Sequence, residues 1–127
     1  MFYQCSALTT FTSDLSSLSD SYGMFFDCSN LTTFNCNDLS SLISSSYMFE
    51  RCSNLTSITS DLSSLTYAHQ MFGDCSNLTT FNCNDLSSLT DGKGMFSDCS
   101  NLTTFNCNDL SSLMYGARMF NKTKLTP

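Results

Sequence analysis

The chain has 127 residues, a formal net charge of −6 with five Lys and Arg in all, and a hydrophobic fraction of 41%. So acidic a chain has no basic stripe to meet a phosphate backbone, which excludes a nucleic-acid binder. It has no run of 18 or more apolar residues, and the opening Met1-Phe2-Tyr3-Gln4-Cys5-Ser6 has neither the basic start nor the apolar stretch of an export signal, so no membrane insertion is expected.

The large apolar residues are spread evenly along the chain, which points to a repeat. Met1, Met24, Met48, Met71, Met95 and Met119 stand in one column, each followed by Phe. They divide a single array into units 1–23, 24–47, 48–70, 71–94 and 95–118, with a partial unit at 119–127. A period of 23 or 24 residues predicts a solenoid in which equivalent segments stack on one another.

Within a unit, Met71, Cys75 and Leu78 fall at i, i+4 and i+7, the spacing of one helical face, and predict a short helical or 3₁₀ turn. Leu78-x-x-Phe81-x-Cys83 then places Phe81 and Cys83 on one side of an extended segment. Equivalent strands are expected to lie parallel, about 4.8 Å apart, in one continuous sheet. Leu86-Ser87-Ser88-Leu89 predicts a short second strand. The two unit lengths differ where Phe11-Thr12-Ser13-Asp14 faces Phe81-Asn82-Cys83-Asn84-Asp85, so a bulge or wider turn is expected at the longer corners. One unit buries too little to fold alone, and stability must come from stacking. At the last edge Lys122, Lys124 and Pro127 are expected to discourage further pairing.

The stretch Met-Phe-x-x-Cys-Ser-Asn-Leu-Thr-Thr-Phe at residues 24–34, 71–81 and 95–105 resembles the leucine-rich repeats of the BspA type, found in bacterial and protist surface proteins. Its Ser, Asn and Thr content also resembles repeats of gut-phage proteins. The resemblance covers the whole chain and implies a curved repeat array with an adhesive or recognition duty. It carries over packing residues, not a site. The second segment, Asp-Leu-Ser-Ser-Leu, and the shorter unit depart from the family pattern.

Three further columns carry candidate chemistry. Cys5, Cys28, Cys52, Cys75 and Cys99 form one, and Cys36, Cys83 and Cys107 another, with Ser13 and Ser60 in the second column's slot in the shorter units. In-register side chains point the same way and do not reach a bridge dihedral, so buried free thiols are expected. Asp14, Asp38, Asp61, Asp85 and Asp109 read as turn carboxylates that accept backbone N–H groups, with a calcium ladder as the sharper alternative. Asn30, Asn54, Asn77 and Asn101 match a glycosylation sequon only because the repeat does, and Asn121-Lys122-Thr123 is a fifth match. His69 has no acid or nucleophile at motif spacing. No phosphate loop, metal-ligand pattern or catalytic carboxylate pair stands out, so neither an enzyme nor a cofactor is expected.

Variation concentrates at 19–23, 43–47, 66–70, 90–94 and 114–118 and at the third and fourth positions of each unit. Tyr22, Tyr47, Tyr67, His69, Lys93, Tyr115 and Arg118 fall in these zones and are expected to line a recognition edge, since exposed aromatics and Arg anchor interfaces. The leading expectation is an adhesion or recognition module of a cell-surface or virion protein, meeting a protein or glycan ligand. A self-assembling fibre of copies stacked end to end is the alternative, and an ice-binding Thr face a minor one.

Overall fold

The five strands are short because only two or three residues per repeat alternate outward Thr with an inward ring. A computed structural model describes residues 1–83 and 85–126, so Asn84 of one longer corner and Pro127 lie outside the described residues. The strands are β1 (Thr10–Phe11), β2 (Thr33–Phe34), β3 (Ser57–Thr59), β4 (Thr80–Asn82) and β5 (Thr104–Asn106). In β3 and β4 the central Ile58 and Phe81 are buried between more open neighbours.

Pairing is parallel throughout, with each residue facing its equivalent in the next repeat: Thr10 faces Thr33, Phe81 faces Phe105. The expected single sheet is two, of order β1-β2 and β3-β4-β5. The gap falls where Ile58 occupies the slot that Phe fills elsewhere in the column. Phe11 stacks on Phe34 and Phe81 on Phe105, whereas Ile58 offers no ring to continue either stack. The ladder resumes at the bridge between Asp38 and Asp61, where the Asp61 N–H donates to the Asn37 carbonyl at 2.7 Å.

The helical or 3₁₀ turn expected after each Met is absent among the described residues. A helix satisfies its amides internally, but here alternate amides reach the next repeat. The N–H groups of Gly23, Phe25 and Asp27 donate to the carbonyls of Ser46, Met48 and Glu50 at 3.0, 2.8 and 2.8 Å, while those of Met24, Phe26 and Cys28 close local turns onto the carbonyls three residues earlier. This alternation requires left-handed residues, at Gly23, Tyr47, Gln70, Gly94 and Arg118 before each Met and at Gln4, Asp27, Arg51, Asp74, Asp98 and Lys122 at each fourth position. The spacing of Met, Cys and Leu is that of a helix, yet the backbone is not.

The short second strand expected at Leu-Ser-Ser-Leu is likewise a turn. Asp14, Asp38, Asp61, Asp85 and Asp109 each accept the N–H two residues on, at 2.7 to 3.0 Å, and Leu42 donates to Leu39 at 2.9 Å. Such an Asx turn bends the chain and uses up the amides a strand would need. A second ladder lies farther on, as single-residue bridges linking Asp20, Ser44, Tyr67, Asp91 and Tyr115 in succession.

Inside, Phe25, Phe49, Phe72 and Phe96 are fully buried with the Leu and Met columns. All eight cysteines are free, and six of them are buried. The Cys28, Cys52, Cys75 and Cys99 thiols donate to the carbonyls of Phe2, Phe25, Phe49 and Phe72 at 2.8 to 3.1 Å. The thiols therefore fill space and satisfy carbonyls between repeats. Outside, the sequon asparagines form a side-chain ladder in which Asn54 donates to Asn30 at 3.4 Å and Asn77 to Asn54 at 3.3 Å.

Candidate functional site

The turns after and before each Met bring several of the varied positions onto one strip. The left-handed residue before Met reverses the chain, so a residue preceding it lies beside the third residue of the unit. Tyr22, Gly23 and Tyr47 from one limb and Tyr3, Phe26 and Glu50 from the other line a groove of about 290 Å³. Tyr3 stacks on Phe26 at 4.8 Å between centroids, inclined by 9°. Across from them Tyr22 meets Tyr47 edge-on at 5.4 Å, and Tyr47 meets His69 in the same way at 5.2 Å. The Arg51 guanidinium lies 5.7 Å from the Phe26 ring centre, an intramolecular cation–π contact. Tyr22 is 70% exposed and Tyr3 58%, so both rings face solvent while each packs against one aromatic neighbour.

Charge in this groove comes from Glu50. Burial raises its carboxyl above the usual value, opposed by Arg51 and reinforced by Asp74. Burial also raises the Tyr47 phenol, with Tyr22, Glu50 and Asp91 adding to the effect.

A second pocket, of about 340 Å³, continues the strip beyond Glu50. Glu50 lines this pocket as well as the groove, with Gln70, Asp74, Lys93, Asp98, Arg118 and Lys122 as its further polar lining, and Lys122 pairs with Asp98 at 3.0 Å. Gly73 leaves room at the boundary, because a Cβ there would come within 2.6 Å of the Gln70 Oε1.

Of the seven residues singled out from sequence, Tyr22, Tyr47 and His69 form one aromatic run, and Lys93 and Arg118 share the polar pocket. Tyr67 and Tyr115 stand on the bridge column, 52% and 60% exposed, outside both pockets. Tyr3, Phe26 and Glu50 were not singled out. All three occupy the third position of the unit, where variation was visible, but its proximity to Tyr22 depends on the left-handed turn.

The BspA type leucine rich repeat region model matches in six copies over residues 1–91 and 45–127, together the whole chain. This chain belongs to the BspA-type leucine-rich repeat family. No curated protein and no solved structure matches it. The family is one of repeat modules for protein interaction, and the strip places the varied side chains of this BspA-type chain outside its shared packing columns. No helix among the described residues is long and apolar enough to cross a membrane, and no cluster of three or more His, Cys, Asp or Glu is placed to hold a metal ion.

Proposed function

We propose that this BspA-type chain is a solenoid of 23- and 24-residue units, 1–23, 24–47, 48–70, 71–94 and 95–118 with 119–127 opening a sixth, acting as a non-catalytic recognition module on a cell or virion surface. The observation that carries the reading is the convergence of Tyr22, Tyr47, His69, Lys93 and Arg118 along the two adjoining pockets, with Tyr67 and Tyr115 exposed on the bridge column, while the Thr, Asn and Ser columns elsewhere repeat. Exposed rings beside charged groups are the usual anchors of specific contact. Tyr22, Tyr47, Tyr67, His69, Lys93, Tyr115 and Arg118 are the residues on which a protein or glycan ligand is read.

The test replaces these seven residues with Ala, singly and together, and compares binding to a ligand selected from surface-protein and glycan libraries. Loss in the strip variants with retention in Thr32→Ala, Thr79→Ala and Thr103→Ala is expected. Equal binding by both sets would sink the reading. Light scattering of the same samples distinguishes discrete particles from copies joined end to end.

A further inference from the structure

The groove of Tyr3, Tyr22, Phe26 and Tyr47 holds one charged group whose chemistry points to a ligand. Among the described residues the Glu50 carboxylate forms no salt bridge and no side-chain hydrogen bond. It is half-buried beside four aromatic rings. A carboxylate so placed loses hydration and gains in return only the nearby charge of Arg51, without a hydrogen bond, and the remaining cost is recovered when a cation enters. The ring faces supply the rest, because their negative quadrupoles attract an ammonium or guanidinium group once water is displaced. The molecule already makes this contact once, with Arg51 against Phe26.

We propose that this groove receives a lysine or arginine side chain from a basic segment of a partner protein, with Glu50 as counter-charge and Tyr3, Tyr22 and Tyr47 as walls. This rests on the recognition reading above and names its ligand chemistry. Charge complementarity selects a basic partner, since the chain carries −6 overall and the groove's one unpaired charged group is acidic. Arg51 is the opposing charge: it occupies Phe26 but sets a positive group near the entry, so it limits affinity. The cationic head must therefore seat on the Tyr3, Tyr22 and Tyr47 side of Glu50.

The experiment titrates the ¹⁵N-labelled chain with N-acetyl-lysine methylamide, N-acetyl-arginine methylamide, the uncharged isostere N-acetyl-norleucine methylamide, and maltose. Both cationic probes are expected to give saturable shifts of the Tyr22, Gly23, Tyr47 and Glu50 amides, and the norleucine probe is not. Glu50→Gln and Tyr22→Ala should each weaken the cationic probes roughly fivefold, while Arg51→Asn, tolerant of the left-handed backbone there, should tighten them. Spectra that superimpose away from the groove establish that each variant folds. Equal affinity for the norleucine probe, or cation binding unchanged in Glu50→Gln, would overturn the proposal. Shifts with maltose alone would overturn it too, but leave the strip as a recognition surface for sugars. Silence from all four probes overturns the cation site, and the selected-ligand experiment then judges the wider strip on its own.

Discussion

Two columns of phenylalanine run through the same core, and they differ in continuity. Phe2, Phe25, Phe49, Phe72, Phe96 and Phe120 stack without interruption, successive centroids 5.3 to 5.7 Å apart and ring planes within 6° of parallel. The strand column stacks Phe11 on Phe34 and Phe81 on Phe105, but Ile58 stands between the pairs. Beside that missing ring the strand pairing stops toward β2 but continues toward β4, where Ile58 faces Phe81, whereas the turn side keeps both its rings and its hydrogen bonds through every repeat. The backbone ladder thus outlasts the ring stack on the β4 side of Ile58, and the turn side is the more uniform of the two.

The most damaging way to break this contrast is Phe72→Ala. Phe72 is fully buried and touches Phe49, Phe81 and Phe96, so its loss should cost about 3–5 kcal/mol in denaturant unfolding. Phe81→Ile would copy the interruption into β4. It removes ring contacts to Phe72, Phe96 and Phe105 and should cost about 1–3 kcal/mol, with faster amide exchange confined to β4 and β5. The reverse change, Ile58→Phe, should join the two sheets. Slower exchange in β2 and β3 and a gain of roughly 0.5–1.5 kcal/mol are expected, and unchanged exchange would show that ring stacking does not govern strand pairing.

Smaller effects sharpen the same picture. Burial holds the Cys52 and Cys75 thiols far above the usual range, Cys99 at about 12 and Cys83 at about 11. Brief alkylation at neutral pH, read by mass spectrometry, should therefore mark Cys5 and Cys107, which are only half-buried, and spare the buried six. On the Asx turns, the serine hydroxyl and then the serine N–H lower the carboxyls of Asp14, Asp38 and Asp109. A carboxyl lowered on folding contributes stability that is present above its unfolded value and is lost as pH falls through the folded one. Ala at all three positions should accordingly lower the neutral plateau of the stability profile slightly, leave the acid end unchanged, and so flatten the limb between them.

The strand column, the thiol columns and the turn carboxylates were legible in the sequence because each depends on side-chain type at a fixed position. The turn after Met was not. Residues at i, i+4 and i+7 share a face in a helix, but they also share one in a turn that alternates right- and left-handed residues. Glycine marks that turn only at Gly23 and Gly94, while Tyr47, Gln70 and Arg118 adopt the same conformation without a sequence sign. The candidate site inherited this difficulty. Tyr22 and Tyr47 could be picked out as varied aromatics, but Phe26 and Glu50 join them only through a chain reversal that a helix would not have made. The gap between β2 and β3 was not legible, since the repeat predicts one continuous sheet and Ile58, the one departure from Phe in the strand column, still pairs with Phe81 on its other side.

The turn-side hydrogen bonds also have a direction. The Gln4 N–H donates to Phe26, Asp27 to Glu50, Arg51 to Gly73, Asp74 to Ser97 and Asp98 to Asn121, and parallel rows run from Phe2 and from Gly23 in the same sense. Each peptide in these rows therefore aims its carbonyl at the preceding repeat and its N–H at the following one. Dipoles aligned in this way add, as they do along a helix, except that here they add across the chain from repeat to repeat. The turn side thereby acquires a local electrical polarity, negative toward the Tyr3 and Tyr22 end and positive toward the Arg118 end, while on the strand and bridge sides bonds such as Thr32 N–H to Thr9 and Thr66 N–H to Ile43 run the other way. Along a strip with the same backbone throughout, that field favours cations at one end and anions at the other.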